Sequence, residues 1–92
     1  RVELQEIDYV LRKASGTDMA ISVPLPVDYG DVGGIAAFIY GDEKNDESSI
    51  MSYCRKYLPD YMIPQKVYFI DNMPLNSNGK IDRLKLIEKV KG

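Results

Sequence analysis

Apolar residues recur at three- and four-residue steps at Leu4, Ile7, Leu11 and Ala14, with Val10 beside them. This spacing predicts an amphipathic helix over residues 3–14. Glu3 and Glu6 fall in its first turn and Arg12 and Lys13 in its last, each at the end that the helix dipole favours. Gly16 is the expected stop. The period then shortens to two. Met19, Ile21, Val23 and Leu25 alternate with smaller or polar residues, the pattern of a half-buried strand. Pro24 and Pro26 each remove a ladder hydrogen bond, which places the second half of that strand at an edge or off the sheet.

After a loop over 28–34, Ile35 to Tyr40 is apolar on both faces and predicts a central strand with helices on each side. Its short link to the first strand predicts an antiparallel pair. Gly41 to Glu47 is acidic and polar, which fits a solvated loop better than a docking surface. A second helix is expected from Glu47 to Leu58, with Asp46 as N-cap and Ile50, Tyr53, Cys54, Tyr57 and Leu58 on one face. Pro59 ends it. In Leu58-Pro59-Asp60-Tyr61-Met62-Ile63-Pro64 two prolines stiffen a connector that Tyr61, Met62 and Ile63 anchor to the core. Lys66 to Ile70 is a third strand, with Val67 and Phe69 alternating against Tyr68 and Ile70. The closing helix uses Leu84, Ile87 and Val90, or Leu86 and Val90 in a shifted register.

The fold class is therefore α+β, a small sheet of about three strands flanked by about three helices in the order α-β-β-α-β-loop-α. Strand order does not follow from the pattern. One shared core is expected, built from Leu4, Leu11, Ile21, Phe38, Cys54, Leu58 and Phe69. At 92 residues such a domain buries roughly two thirds of its unfolded surface, so its stability is modest.

Composition narrows the chemistry mainly by exclusion. A net charge of −2 offers no basic stripe for nucleic acid. The single cysteine, Cys54, excludes an internal disulfide and reads as a small core residue. There is no histidine, which removes the commonest general base and the commonest metal ligand. No apolar run approaches a membrane span, and no secretory leader is recognisable, which points to a cytoplasmic protein. Gly33-Gly34 lacks the spacing and the Lys-Ser/Thr of a phosphate loop.

The densest stretch is Pro74-Leu75-Asn76-Ser77-Asn78-Gly79-Lys80-Ile81-Asp82-Arg83. Asn78-Gly79 is a strong turn dipeptide. Pro74 closes the preceding run, Ile81 and Leu84 return the chain to a core, and Lys80 is left on a short loop fixed at both ends. By itself an Asn-Gly-Lys triplet is an ordinary hairpin tip with a solvated lysine. Here it follows the Leu58–Pro64 connector and an opening Arg1-Val2-Glu3-Leu4-Gln5-Glu6-Ile7-Asp8.

The three segments, in this order, resemble the C-terminal subdomain of adenylate-forming enzymes, most closely the adenylation domains of nonribosomal peptide synthetases. Gln5 stands where the family usually has glycine. The resemblance makes residues 1–92 a single mobile lid subdomain, cut from a longer protein. The large N-terminal subdomain and the hinge, just before Arg1, lie outside the sequence. It implies that Lys80 is the catalytic lysine and that Lys80, with Gly79 beside it, meets the nucleotide. The parent would use ATP with magnesium, bound mainly by the N-terminal subdomain, and no metal ligand is assigned here. Its partners would be that subdomain and a peptidyl or acyl carrier protein, with neither nucleic acid nor membrane. The isolated chain is expected to be inactive. Acyl-CoA synthetases usually carry Ser-Gly-Lys in the last motif, whereas D-alanine–carrier-protein ligases share both Asn-Gly-Lys and the connector and remain the nearest alternative. A freestanding interaction module, docking through the Lys80 loop and residues 42–47, is the alternative from another class.

Overall fold

The computed structural model describes residues 3–25, 34–41 and 47–91. The proposed N-cap Asp46, the acidic 42–46 stretch and most of the 28–34 loop lie outside the described residues. Helix α1 spans Leu4–Ser15 and stops where glycine allows it. Gly16 is left-handed at φ 75° and its N–H closes on Arg12 O, a turn that costs a Cβ-bearing residue more. Glu3 precedes the helix, and its carbonyl accepts from the Glu6 and Ile7 amides.

Strands β1 (Ala20–Pro24), β2 (Ile35–Tyr40) and β3 (Lys66–Ile70) form one sheet in the order β1-β2-β3. β1 and β2 run antiparallel, with Ser22 opposite Ala37. β2 and β3 run parallel, with Phe38 opposite Tyr68, and α2 (Glu47–Tyr57) lies within the crossover that a parallel pair requires. The central, doubly apolar β2 and the antiparallel first pair agree with the sequence pattern. A 3-10 turn at Asp60–Met62 forms the connector, and α3 (Arg83–Lys91) closes the chain.

The expected single core is in fact two. Because neighbours on a strand point to opposite faces, the sheet divides the apolar residues into two layers. Against α1 and α2 lie Ala20, Ile35, Ala37 and Ile39, packed with Ile7, Leu11, Ile50, Cys54 and Leu58. Against α3 lie Ile21, Val23, Ala36 and Phe38, packed with Met73 and Leu86. Ile21 and Phe38 thus belong to a different layer from Leu11 and Cys54, while Leu4 and Phe69 are only partly buried.

Three side chains face otherwise than the pattern suggested. Tyr61 is 61% exposed, while Met62 and Ile63 anchor the connector as expected. Tyr57, at the last turn of α2, is 54% exposed and leans on Tyr53 with ring centroids 4.6 Å apart. Leu84 is 73% exposed, whereas Leu86 is fully buried. The shifted register of the closing helix is the right one. With Arg83 turned inward, as described below, residues 86, 87 and 90 follow on its face, and Leu84 is carried about 100° round the helix.

This register is open to a direct check by urea unfolding of the chain. Leu86→Ala removes a fully buried side chain and is expected to cost about 2–5 kcal/mol. Leu84→Ala should stay within about 0.5 kcal/mol of the parent. Similar losses at both positions would contradict the observed packing.

Candidate functional site

The Pro74–Arg83 stretch is a small loop closed on itself. Leu75 and Ile81 form an antiparallel bridge, and the Asp82 amide donates to Pro74 O at 2.8 Å. Met73 and Ile81, both packed into the α3-side core, fasten the loop from below. Inside it, Asn76 carries most of the order. Its side-chain Oδ1 accepts from the Asn78 amide at 2.8 Å and the Lys80 amide at 3.1 Å. Its own amide donates to Lys80 O at 2.7 Å, and its carbonyl accepts from the Gly79 amide at 3.0 Å.

Gly79 takes φ 79°, the left-handed value that the Asn-Gly turn demanded. A Cβ built there would meet nothing within 4 Å, so backbone conformation and not crowding selects glycine. Residues 75–80 are all exposed, and the Lys80 ammonium makes no ion pair or hydrogen bond among the described residues. The structure therefore places Lys80 and Gly79 side by side on a clasped loop, with the lysine stem free. Such a site can present a point positive charge to an anionic group on another body.

The other end of the motif reaches into the fold. Asp82 caps α3, its Oδ1 accepting from the Lys85 amide at 3.2 Å. Arg83 then extends to Asp8 on α1, with Nη2 donating to Oδ2 at 2.6 Å. The second oxygen, Oδ1, accepts from both the amide and the hydroxyl of Ser22 on β1, each at 2.6 Å. Arg83 Nε also donates to Ser22 O at 3.0 Å. The Ser22 hydroxyl lies 3.2 Å from Leu4 O as well, but its one proton serves the nearer, charged acceptor.

Sequence reasoning missed Asn76, Asp8 and Arg83 as organisers. For Asn76 a signal existed, because asparagine readily bonds backbone amides two residues on. The Asp8–Arg83 pair spans 75 positions and leaves no local trace. Cys54 is buried, and that burial pushes its thiol above the ordinary range, with Arg55 opposing only in part. It is an inert core thiol. No group of three or more His, Cys, Asp or Glu side chains converges among the described residues.

A three-stranded mixed sheet between two helical layers, with a lysine loop ahead of its last helix, is the architecture of the C-terminal subdomain of adenylate-forming enzymes. Residues 7–80 match the AMP-binding enzyme C-terminal domain, and the chain belongs to that family. The D-alanine–D-alanyl carrier protein ligase of Staphylococcus aureus is 36% identical over 96 residues, covering 100% of this chain and 20% of that protein. Among solved structures, a fatty acyl CoA synthetase of Mycobacterium tuberculosis superposes with a TM-score of 0.82 at 31% identity, over 96% of this chain and 18% of that one. The Vibrio cholerae adenylation domain AlmE, in complex with glycyl-adenosine-5'-phosphate, gives 0.81 at 26% identity, over 99% of this chain and 17% of its own. The chain spans about a fifth of the length of the curated relatives it matches.

The ion-pair node yields a stability test. Asp8→Ala strips the Ser22 amide and the Arg83 guanidinium of their acceptor, and a lost buried partner costs about 1–3 kcal/mol. Urea unfolding should show that loss, and an unchanged midpoint would mean that solvent serves these groups equally well.

Proposed function

We propose that residues 1–92 are the lid subdomain of an AMP-forming ligase that adenylates an amino acid with ATP and passes it to the phosphopantetheine thiol of a carrier protein. The observation that carries this reading is Lys80, held on a clasped loop with its side chain unengaged, within a chain of the AMP-binding C-terminal family. The carrier-protein half draws support from the name of the S. aureus relative, which is identical at 36% of positions across the whole chain. That relative favours the D-alanine–carrier-protein ligase branch, which shares the Asn-Gly-Lys form, over the peptide-synthetase branch. The glycyl-adenylate complex of the V. cholerae neighbour supports an amino acid as the acyl group. On this reading the ATP and acyl sites belong to a large N-terminal subdomain outside the sequence. No helix among the described residues is long and apolar enough to cross a membrane, and a cytoplasmic place for the enzyme is part of the proposal.

The chemistry gives Lys80 a defined task. A carboxylate attacks the α-phosphorus of ATP, which brings two anions together and gathers charge on the oxygens around phosphorus. An ammonium that meets both partners offsets their repulsion and holds an in-line approach. The role is electrostatic, so the lysine keeps its proton throughout. Gly79 contributes through the turn that sets the lysine at the tip.

Two expectations test this reading, and the second also separates it from docking. The isolated chain should give only background amino-acid-dependent pyrophosphate exchange, since the acyl and nucleotide pockets lie elsewhere; clear exchange would overturn the division of labour. In the full-length parent, Lys80→Ala should slow adenylation by about a hundredfold, equivalent to about 3 kcal/mol of lost charge stabilisation. Thioester formation from supplied acyl-adenylate should persist. Loss confined to thioester transfer would instead make Lys80 a carrier-protein contact.

A further inference from the structure

We infer that Asn76 is a positioning residue for Lys80, aiming the lysine by fixing its backbone. The inference rests on the adenylation role proposed above for Lys80. Its own support is geometric. Lys80 spends both of its main-chain hydrogen-bonding groups on Asn76: its N–H donates to Asn76 Oδ1 at 3.1 Å, and its C=O accepts from the Asn76 amide at 2.7 Å. The amides of Asn78 and Gly79, which make up the rest of the tip, also close on Asn76, through Oδ1 and the main-chain oxygen respectively.

Four hydrogen bonds from one residue therefore set the direction of the Lys80 Cα–Cβ bond. Two of the four depend on the side chain alone, and since both of their donors are backbone N–H groups, only an acceptor oxygen can occupy that position. No buried packing supplies a substitute, because residues 75–80 are exposed and a Cβ at Gly79 would meet only open space. The two main-chain bonds that make the Leu75–Ile81 bridge, Asp82 N–H to Pro74 O and Asn76 N–H to Lys80 O, fix the base of the loop and leave its tip to the Asn76 side chain and carbonyl. A long side chain multiplies any error in the direction of its stem, so an unclasped tip would leave Lys80 present but misaimed.

The test uses the full-length parent enzyme with Asn76→Ala, Asn76→Ser and Lys80→Ala side by side, each measured in both half-reactions. Asn76→Ala should slow single-turnover adenylation by about ten- to a hundredfold, the range that a misplacement of about 1 Å produces. The KM for ATP should change little, and thioester formation from supplied acyl-adenylate should stay at the parent rate. Asn76→Ser keeps a shorter acceptor that makes the same turn more weakly, and should recover part of the lost rate. An Asn76→Ala enzyme that adenylates at the parent rate overturns the inference. Equal loss in both half-reactions, or no recovery with serine, overturns it too, because either result signals general damage. If Lys80→Ala itself leaves adenylation intact, the proposed role of the lysine fails first. If Lys80→Ala abolishes adenylation and Asn76→Ala does not, only the positioning role fails.

Discussion

The open edge of β1 is the constraint on which the structure turns. The Leu25–Gly34 and Tyr40–Met19 bonds fix the alternation of the β1–β2 ladder, so Ile21 and Val23 point their main-chain groups at β2. Ser22 and Pro24 point theirs away from the sheet. At Pro24 there is no N–H to satisfy, which is why a proline is tolerated inside this strand. At Ser22 both groups need partners, and side chains provide them: Asp8 accepts from the amide, and Arg83 donates to the carbonyl. A carboxylate and a guanidinium thus take the place of a fourth strand. They also close an edge that could otherwise pair with another chain.

The same two residues join the layers of the molecule. α1 packs on one face of the sheet and α3 on the other, and no hydrophobic contact can pass through the strands between them. Arg83 passes around the edge instead, from the first turn of α3 to Asp8 on α1. Asp8 is nearly buried while Arg83 is about a third exposed, at 9% and 33% of their side-chain surface. The pair is therefore better read as a device that fixes geometry than as a large source of stability, because partial desolvation offsets much of the attraction. Its consequence is structural. The segment that begins at Lys80 is held three residues later to the first helix of the chain.

Period was legible in the sequence, and long-range polar pairing was not. The switch from three- and four-residue steps to alternation located α1, β1 and β2, and the doubly apolar Ile35–Tyr40 run identified the central strand. Each error came from a side chain whose direction is set by something outside its own element. Leu84 and Leu86 are interchangeable by apolar spacing, and only the inward turn of Arg83 chooses between them. Tyr57 and Tyr61 carry polar tips that let them leave the core at the ends of their elements. The single expected core divided because residues grouped by hydrophobicity alone ignore which face of β2 they meet. At the loop, Asn78-Gly79 announced the turn correctly. It also drew attention from Asn76, whose side chain is the part that closes it.

The distribution of order around Lys80 is itself informative. Its backbone is bonded on both sides, while its ammonium makes no hydrogen bond or ion pair among the described residues. For a residue with a merely local role this would be an odd economy, since an exposed hairpin tip can fray at little cost to the fold. For a residue that must meet a group on a second body, it is the useful arrangement. The base of the stem is aimed in advance, and only side-chain rotamers, about 2 kcal/mol for lysine, remain to be ordered on contact. Arginine would bring a planar fork whose donors need matched acceptors. An ammonium asks only for negative charge within reach, and can follow that charge as it moves from a carboxylate onto the oxygens around phosphorus. On the proposed reading, a clasped backbone with a free, compact cation is what a lid needs when its partner's charge shifts during the reaction.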